Sequence, residues 1–215
     1  RPCPSRVMLP LLLEELSAAG IARERVTIVF ALGSHRRHSK AEMIQLVGEE
    51  IFRFYRCIDH DPGDCVTLGK TRRGTPVQVF RPVAEADRRI CLGNIEYHYF
   101  AGYSGGAKAI FPGVSTQEAI QANHSMMLRE EARAGKLEGN PVREDLEEVL
   151  EVLGVDFILN VVLDPGKRIL KAVAGHAVEA HREGCRFLDS HYRVPLESPA
   201  DIVLVSAGGY PKDIN

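Results

Sequence analysis

No apolar run in the 215 residues approaches the roughly 20 needed to span a bilayer, and no signal segment with a charged start and an apolar middle is present. Neither sign of charge is in excess: 27 Lys and Arg stand against 29 Asp and Glu, a formal net charge of −2. That balance gives no electrostatic reason to expect nucleic acid or an anionic membrane as a partner, so any ligand is recognised locally. Cysteine is sparse. Cys3, Cys57, Cys65, Cys91 and Cys185 form no CxxC spacing, and an odd number cannot all pair within one chain. The expectation is reduced thiols in a cytoplasmic protein, with Cys91 and Cys185 best suited to be small buried hydrophobes. The GxxxxGK[ST] spacing of a phosphate loop is also missing. What remains, 45% hydrophobic and 26% charged residues, is ordinary globular composition in a chain long enough to bury a core.

What is present alternates between two periodicities. Val7 to Ala19 places Met8, Leu9, Leu12, Leu13 and Leu16 on one face and is followed by Gly20, which predicts an amphipathic helix. Val26 to Leu32 is β-branched and almost continuously apolar, as in a strand covered on both faces. A polar turn, Gly33 to Ser39, leads to a second helical pattern from Lys40 to Phe54. Cys57 to Gly74 reads as polar and irregular, and its Asp59, His60 and Asp61 suit a solvated loop better than a metal site. A hairpin follows, with strands at Cys65 to Leu68 and Val77 to Val83. Further strands are expected at Arg88 to Ile95, Phe157 to Leu163 and Ile169 to Ala174, the last two joined by the turn Asp164-Pro165-Gly166-Lys167. Helices are expected from Ser115 to His124, from Pro141 to Leu153 and from Gly175 to Leu188. The alternation gives an α/β fold, a layered domain with a partly parallel sheet flanked by helices over residues 1–196. Residues 197–215 read as a linker and the first strand of a second α/β domain, and both ends of the chain read as cut.

Chemistry concentrates between Tyr97 and His124. Gly102, Gly105 and Gly106 lie among Ser104, His98 and Lys108, a density of glycine, hydroxyl, imidazole and amine that marks a site more than a structural turn. His98 is a candidate base, with Tyr99 and Phe100 as an apolar wall, or else a strand-end histidine satisfied by backbone. His35 follows a buried strand beside Arg36 and Arg37, which could grip a carboxylate or phosphate; it is a second candidate base or a solvated loop histidine. His38 and Arg37 are expected to face solvent. Lys108, in an apolar surround, could be a nucleophile, a covalent anchor or a point charge for phosphate. His124, at a helix end, could be a metal ligand or a C-cap, and a single protein ligand would need a cofactor to supply the rest. In open α/β sheets ligands gather at the carboxyl ends of strands, so the His35 and His98 loops could share one crevice.

Taken together, these segments resemble the LarA-type nickel-dependent lactate racemase family. The resemblance rests on Arg1-Pro2, on Ala31-Leu32-Gly33-Ser34-His35-Arg36, and on Glu96 through Lys108. It continues through Pro112-Gly113, Ala122-Asn123-His124, Asn160-Val161-Val162-Leu163-Asp164 and Gly208-Gly209-Tyr210-Pro211. It implies a 2-hydroxy acid racemase or epimerase that uses a nickel-pincer nucleotide supplied by cofactor-synthesis proteins. In that reading Lys108 is the attachment lysine, His124 the nickel ligand, and His35 and His98 the alternating acid and base. Ser104, Gly105 and Gly106 seat the cofactor, and Arg1 and Tyr210 hold the substrate. The chain departs from the family pattern at Ala107, where arginine is usual, and at Arg37-His38, where a proline is usual. The resemblance also implies that the 215-residue chain alone is inactive. A two-histidine isomerase or dehydratase without the cofactor, and a noncatalytic nucleotide-binding protein, are the alternative readings.

Overall fold

The computed structural model describes residues 3–196, 198 and 200–204, so Arg1 and Tyr210 lie outside the described residues. Helix α1 (Ser5–Ala18) buries Met8, Leu9 and Leu13. Strand β1 (Thr27–Phe30) is shorter than its apolar run. The next helical pattern is two helices, α2 (Lys40–Val47) and α3 (Glu49–Phe54). Gly48 between them has φ +92°, a conformation that stops one helix and that L side chains rarely adopt. A capping box starts α2: the Ser39 hydroxyl accepts from the Glu42 amide, and the Glu42 carboxylate accepts from the Ser39 amide.

The polar stretch after α3 contains a strand that sequence patterning missed. β2 (Arg56–Asp59) pairs in parallel with β1. The solvated-loop expectation also fails for His60, which is fully buried and edge-on to Phe80, with ring centroids 5.7 Å apart. β3 (Cys65–Lys70) and β4 (Pro76–Phe80) form the expected hairpin. The chain does not stay extended to Val83. Helix α4 (Arg81–Ala84) begins at once, with Pro82 in its first turn where no intrahelical donor is needed.

β5 (Ile90–Asn94) leads into a minimal antiparallel pair, β6 (Tyr97–His98) and β7 (Gly102–Tyr103). Helix α5 (Gln117–His124) is capped by Thr116, whose Oγ1 accepts from the Ala119 amide. Ser115, the expected start of this helix, lies before it, is buried and donates to the Ile110 carbonyl. Asn140 caps α6 (Pro141–Leu153) by accepting from the Val142 and Arg143 amides. β8 (Phe157–Leu163) and β9 (Ile169–Gly175) follow, and α7 (Glu179–Tyr192) is the last helix among the described residues.

β8 is the central strand of a three-stranded mixed sheet, parallel to β5 and antiparallel to β9. The fold is therefore the α/β arrangement that the alternation predicts, with small parallel and mixed sheets flanked by helices. The main core joins Val77, Val79, Ile95, Phe111, Leu146, Val149, Ile158, Val162 and Leu188. A fully buried aliphatic side chain contributes about 1.5–3 kcal/mol, so this cluster fixes α6 and α7 against the sheet. A separate cluster of Leu9, Leu13, Val47 and Ile51 packs α1 to α3 on the β1–β2 pair. Cys91 and Cys185 are buried, as their apolar surroundings predict.

Candidate functional site

The site starts where β5 ends. Beyond Asn94 the chain doubles back through the β6–β7 pair, in which His98 lies opposite Gly102. Gly102 has φ +74°, and a Cβ there would lie 2.2 Å from the Lys136 carbonyl oxygen, so no other residue fits without moving backbone. α6 holds this turn from beneath. The fully buried Arg143 donates from Nε to the Ala101 carbonyl at 3.0 Å and from Nη2 to the Tyr103 carbonyl. The cap residue Asn140 donates from Nδ2 to the Phe100 carbonyl at 2.9 Å. From α7, Asp189 accepts from both the Tyr97 and Tyr103 hydroxyls, at 2.7 and 2.8 Å. Two helices thus fix the backbone that presents His98.

The next segment carries Lys108. The Ser104 hydroxyl is buried, donating to the Asn94 carbonyl at 2.7 Å and accepting from the Glu96 amide at 2.8 Å. The glycines that follow are required by the protein's own packing. A Cβ on Gly105 would meet Asn160 Oδ1 at 2.7 Å, and one on Gly106 would meet the His181 ring at 2.9 Å. Asn160, from β8, accepts the Gly106 amide at 2.7 Å through Oδ1, while its buried Nδ2 has no acceptor among the described residues. His181, from α7, hydrogen-bonds the Ser104 carbonyl through Nε2 at 2.8 Å. Burial first, and the Arg143 charge second, push the His181 pKa down to about 3. Ser104, Gly105 and Gly106 therefore set the shape of a rigid loop, and the half-buried Lys108 is carried on the 3-10 turn Gly106–Ala109 that it leads into.

His124 is the last residue of α5, and its Nδ1 lies 3.0 Å from Asn123 Oδ1. Burial, and then the charge of Lys108, push its pKa down to about 4, so the ring is neutral near neutral pH. Phe100 stands between the two imidazoles of the region. It is edge-on to His98, with centroids 4.7 Å apart, and edge-on to His124 at 4.9 Å. The apolar wall expected from Tyr99 and Phe100 is Phe100 alone, because Tyr99 is 77% exposed. His98, Lys108 and His124 are thus brought into one neighbourhood.

His35 is exposed in the turn after β1. That turn is tied to the Lys108 segment at one point, where the Gly33 amide donates to the Gly113 carbonyl at 2.8 Å. The neighbouring arginines hold the protein's own carboxylates. Arg36 forms a fork to Glu42 at 2.6 and 3.0 Å, and Arg37 bonds Asp61 at 2.5 Å. His38 is not solvent-facing: it bonds Asp59 through its backbone amide and its ring Nδ1, both at 2.7 Å, and so clamps the turn to the end of β2. Asp59, His60 and Asp61 do not converge, and among the described residues no group of three His, Cys, Asp or Glu side chains is arranged to hold a metal ion.

Sequence reasoning did not single out Arg143, Asp145 or His181, and it cited Asn160 only within the Asn160 to Asp164 segment of the resemblance. Arg143 and Asp145 carried a signal, since both interrupt the apolar stripe of α6 between Val142 and Leu146. A charge inside such a stripe is buried only if other polar groups meet it.

Comparison with known proteins places the fold and the family. The sequence profile described as "Lactate racemase N-terminal domain" matches residues 1–135. A protein named lactate racemase from Thermoanaerobacterium thermosaccharolyticum is 38% identical over 220 residues, covering 100% of this chain and 51% of that protein. One from Lactiplantibacillus plantarum is 36% identical with the same coverage. The solved lactate racemase apoprotein of the former organism superimposes with a TM-score of 0.84 at 37% identity, over 88% of this chain and 46% of that one. A Thermotoga maritima protein with a TM-score of 0.75 and 19% identity shares the fold. The chain spans about half the length of these lactate racemases. Through its N-terminal domain, the chain belongs to the lactate racemase family.

Proposed function

We propose that this chain anchors a nickel-pincer nucleotide and serves in the racemisation or epimerisation of a small 2-hydroxy acid in the cytoplasm. Lys108 is the attachment residue, His124 the nickel ligand, and His35 and His98 the acid and base. The observation that carries this reading is the meeting of His98 and His124 across Phe100, with the Lys108 charge close enough to His124 to lower its pKa. The residues fit such a group. A neutral imidazole is a competent metal ligand, a half-buried amine sits beside it, and Asn160 Nδ2 is a buried donor awaiting an acceptor. When bound, the cofactor supplies reversible acceptance of hydride from the carbinol carbon.

The protein's own residues do the remainder. His98, held by a turn that Arg143 and Asp189 fix, handles the hydroxyl proton in one direction, and His35 handles it in the other. The planar 2-oxo acid regains hydride at carbon and a proton at its carbonyl oxygen, and because that oxygen lies on opposite sides for the two enantiomers, one acid does not reach it in both. Phe100 keeps the space between the imidazoles apolar and excludes water. The loop of Ser104, Gly105 and Gly106 seats the cofactor by fixing where Lys108 emerges. Arg1 and Tyr210 are assigned to the substrate carboxylate and hydroxyl. Ala107, in place of the family's usual arginine, removes one cation from the phosphate side, so the substrate and cofactor contacts differ there from those of lactate-specific members.

The test is intact mass and nickel analysis of the natural-length protein, co-produced with cofactor-synthesis proteins, as wild type, Lys108→Ala and His124→Ala. The expected result is an added mass and nickel in the wild type, loss of both in Lys108→Ala, and loss of nickel with the added mass kept in His124→Ala. A wild type with neither added mass nor nickel would overturn the assignment and return the two histidines to an isomerase without this cofactor. His35→Ala and His98→Ala should each retain the added mass and lose racemisation by at least about 100-fold.

A further inference from the structure

We infer that Asp145, acting through Asn123, fixes the ring proton of His124 on Nδ1 and so leaves Nε2 as the bare, basic nitrogen of the ring. Asp145 is fully buried on α6, and its partners come from the β3–β4 turn and from α5. Oδ1 accepts from the Thr71 hydroxyl at 2.5 Å, and Oδ2 accepts from the Thr75 hydroxyl at 2.7 Å and from Asn123 Nδ2 at 2.8 Å. The second hydrogen of that amide goes to the Val142 carbonyl at 3.1 Å. A carboxylate and a carbonyl can only accept, so the nitrogen end of the Asn123 amide must face them and its oxygen must face the other way. What lies there is His124 Nδ1, at 3.0 Å. An amide oxygen cannot donate, so Nδ1 carries the proton, and in the neutral ring Nε2 is then the basic nitrogen.

The identity of position 145 is what makes this chain of reasoning binding. An asparagine there could present either end of its amide, and Asn123 would lose the reason to keep its oxygen on His124. A buried carboxylate met by two hydroxyls and an amide is a costly way to join a hairpin turn to a helix. It is a direct way to impose one orientation on the amide. In water the neutral imidazole favours the opposite tautomer, with its proton on Nε2, which would cover the atom a metal needs. Asp145 and Asn123 are positioning residues in this scheme, and neither touches substrate. The metal half of the inference rests on the reading of His124 as nickel ligand; the proton half does not.

The tautomer is measurable without cofactor. Nitrogen-15 spectra of the natural-length, cofactor-free protein labelled at histidine, with His124 identified by its loss in His124→Gln, report which ring nitrogen bears hydrogen. The expected result is a protonated Nδ1 and a bare Nε2 in the wild type. In Asn123→Leu the proton should move to Nε2, and nickel affinity after cofactor loading should fall by about 10- to 100-fold. A wild-type ring with its proton on Nε2 overturns the inference. So does an unchanged His124 pattern in a folded Asn123→Leu, which would leave Asp145 and Asn123 a purely structural tie. If that variant fails to fold, the wild-type spectrum alone decides. A bare Nε2 in a wild type that takes up no nickel would support the proton assignment and sink the metal reading instead.

Discussion

The residues proposed to carry the chemistry depend on buried neighbours that play no visible part in it. His181 is the clearest case. It supports Gly106 and the Ser104 carbonyl from within the core, and burial there keeps its pKa near 3, against an ordinary 6.5. His124 is depressed in the same direction, to about 4. For a histidine depressed in the fold, the unfolded chain binds its proton first as pH falls. Stability is therefore full above about pH 6.5 and is lost between there and pH 3 to 4. The slope in that window is about 1.4 kcal/mol per pH unit for a fully depressed site such as His181. Urea midpoints measured at pH 7 and pH 5 should fall accordingly, and should fall less in a His181→Gln variant. Equal pH dependence in the two proteins would show that His181 is not held neutral. At this scale the sequence marked His35, His98, Lys108 and His124 as polar anomalies beside glycine, because their types and spacing are local facts. It did not mark His181, and it marked Asn160 only as part of a family segment; the two matter by reaching a loop 77 and 54 positions earlier in the chain.

Among the elements, α6 does more than its amphipathic pattern suggests. Its stripe of Val142, Leu146 and Val149 enters the core, while Arg143 and Asp145 enter with it and reach the His98 turn and the His124 helix. Replacing Arg143 with Ala takes a side-chain donor from two buried carbonyls, at Tyr103 and at Ala101, which keeps the Tyr103 amide, and empties the buried space the guanidinium fills. Leaving buried polar groups unsatisfied costs about 1–3 kcal/mol each, so a loss of about 3 kcal/mol or more is expected in denaturant unfolding. Racemisation by the loaded enzyme should fall with it, because the turn that orients His98 loses its support. Arg143→Lys should recover part of the stability through one hydrogen bond and little of the orientation, since an ammonium cannot span both carbonyls as the guanidinium does. A stable, active Arg143→Ala would remove α6 from the site. The elements themselves were mostly foreseen where periodicity was strong, as in α1, α6, β5, β8 and β9. β2 was missed because Arg56 and Asp59 make a four-residue strand look polar, and its pairing to β1 is a nonlocal contact. The break at Gly48 was missed because the apolar face continues across it.

In the molecule as a whole, burial governs the thiols as well as the imidazoles. Cys91 and Cys185 have pKa values pushed up to about 12 by burial, and Cys65 is pushed up to about 11. The thiolate is the reactive form. Iodoacetamide at pH 7.5 should therefore leave Cys91 and Cys185 unlabelled in the native protein and modify all five cysteines once it is unfolded. Rapid native labelling of either would mean that the main core opens easily. Among the described residues no helix is long and apolar enough to cross a membrane, in keeping with the absence of a long apolar run.

The sequence by itself determined the α/β alternation, the apolar strands, though β1 is only partly covered, the glycine-rich loop and the four polar side chains proposed for the mechanism. Each of these is written in local periodicity or in residue type. Only the tertiary structure decided that Phe100 lies between His98 and His124, that Arg36 and Arg37 are spent on Glu42 and Asp61, and that the glycines yield to Asn160 and His181. It alone linked Asp145 to His124 through Asn123. The physical reason is common to all of them: a hydrogen bond or a close approach between distant segments is set by how sheets and helices pack, and no local pattern encodes its partner.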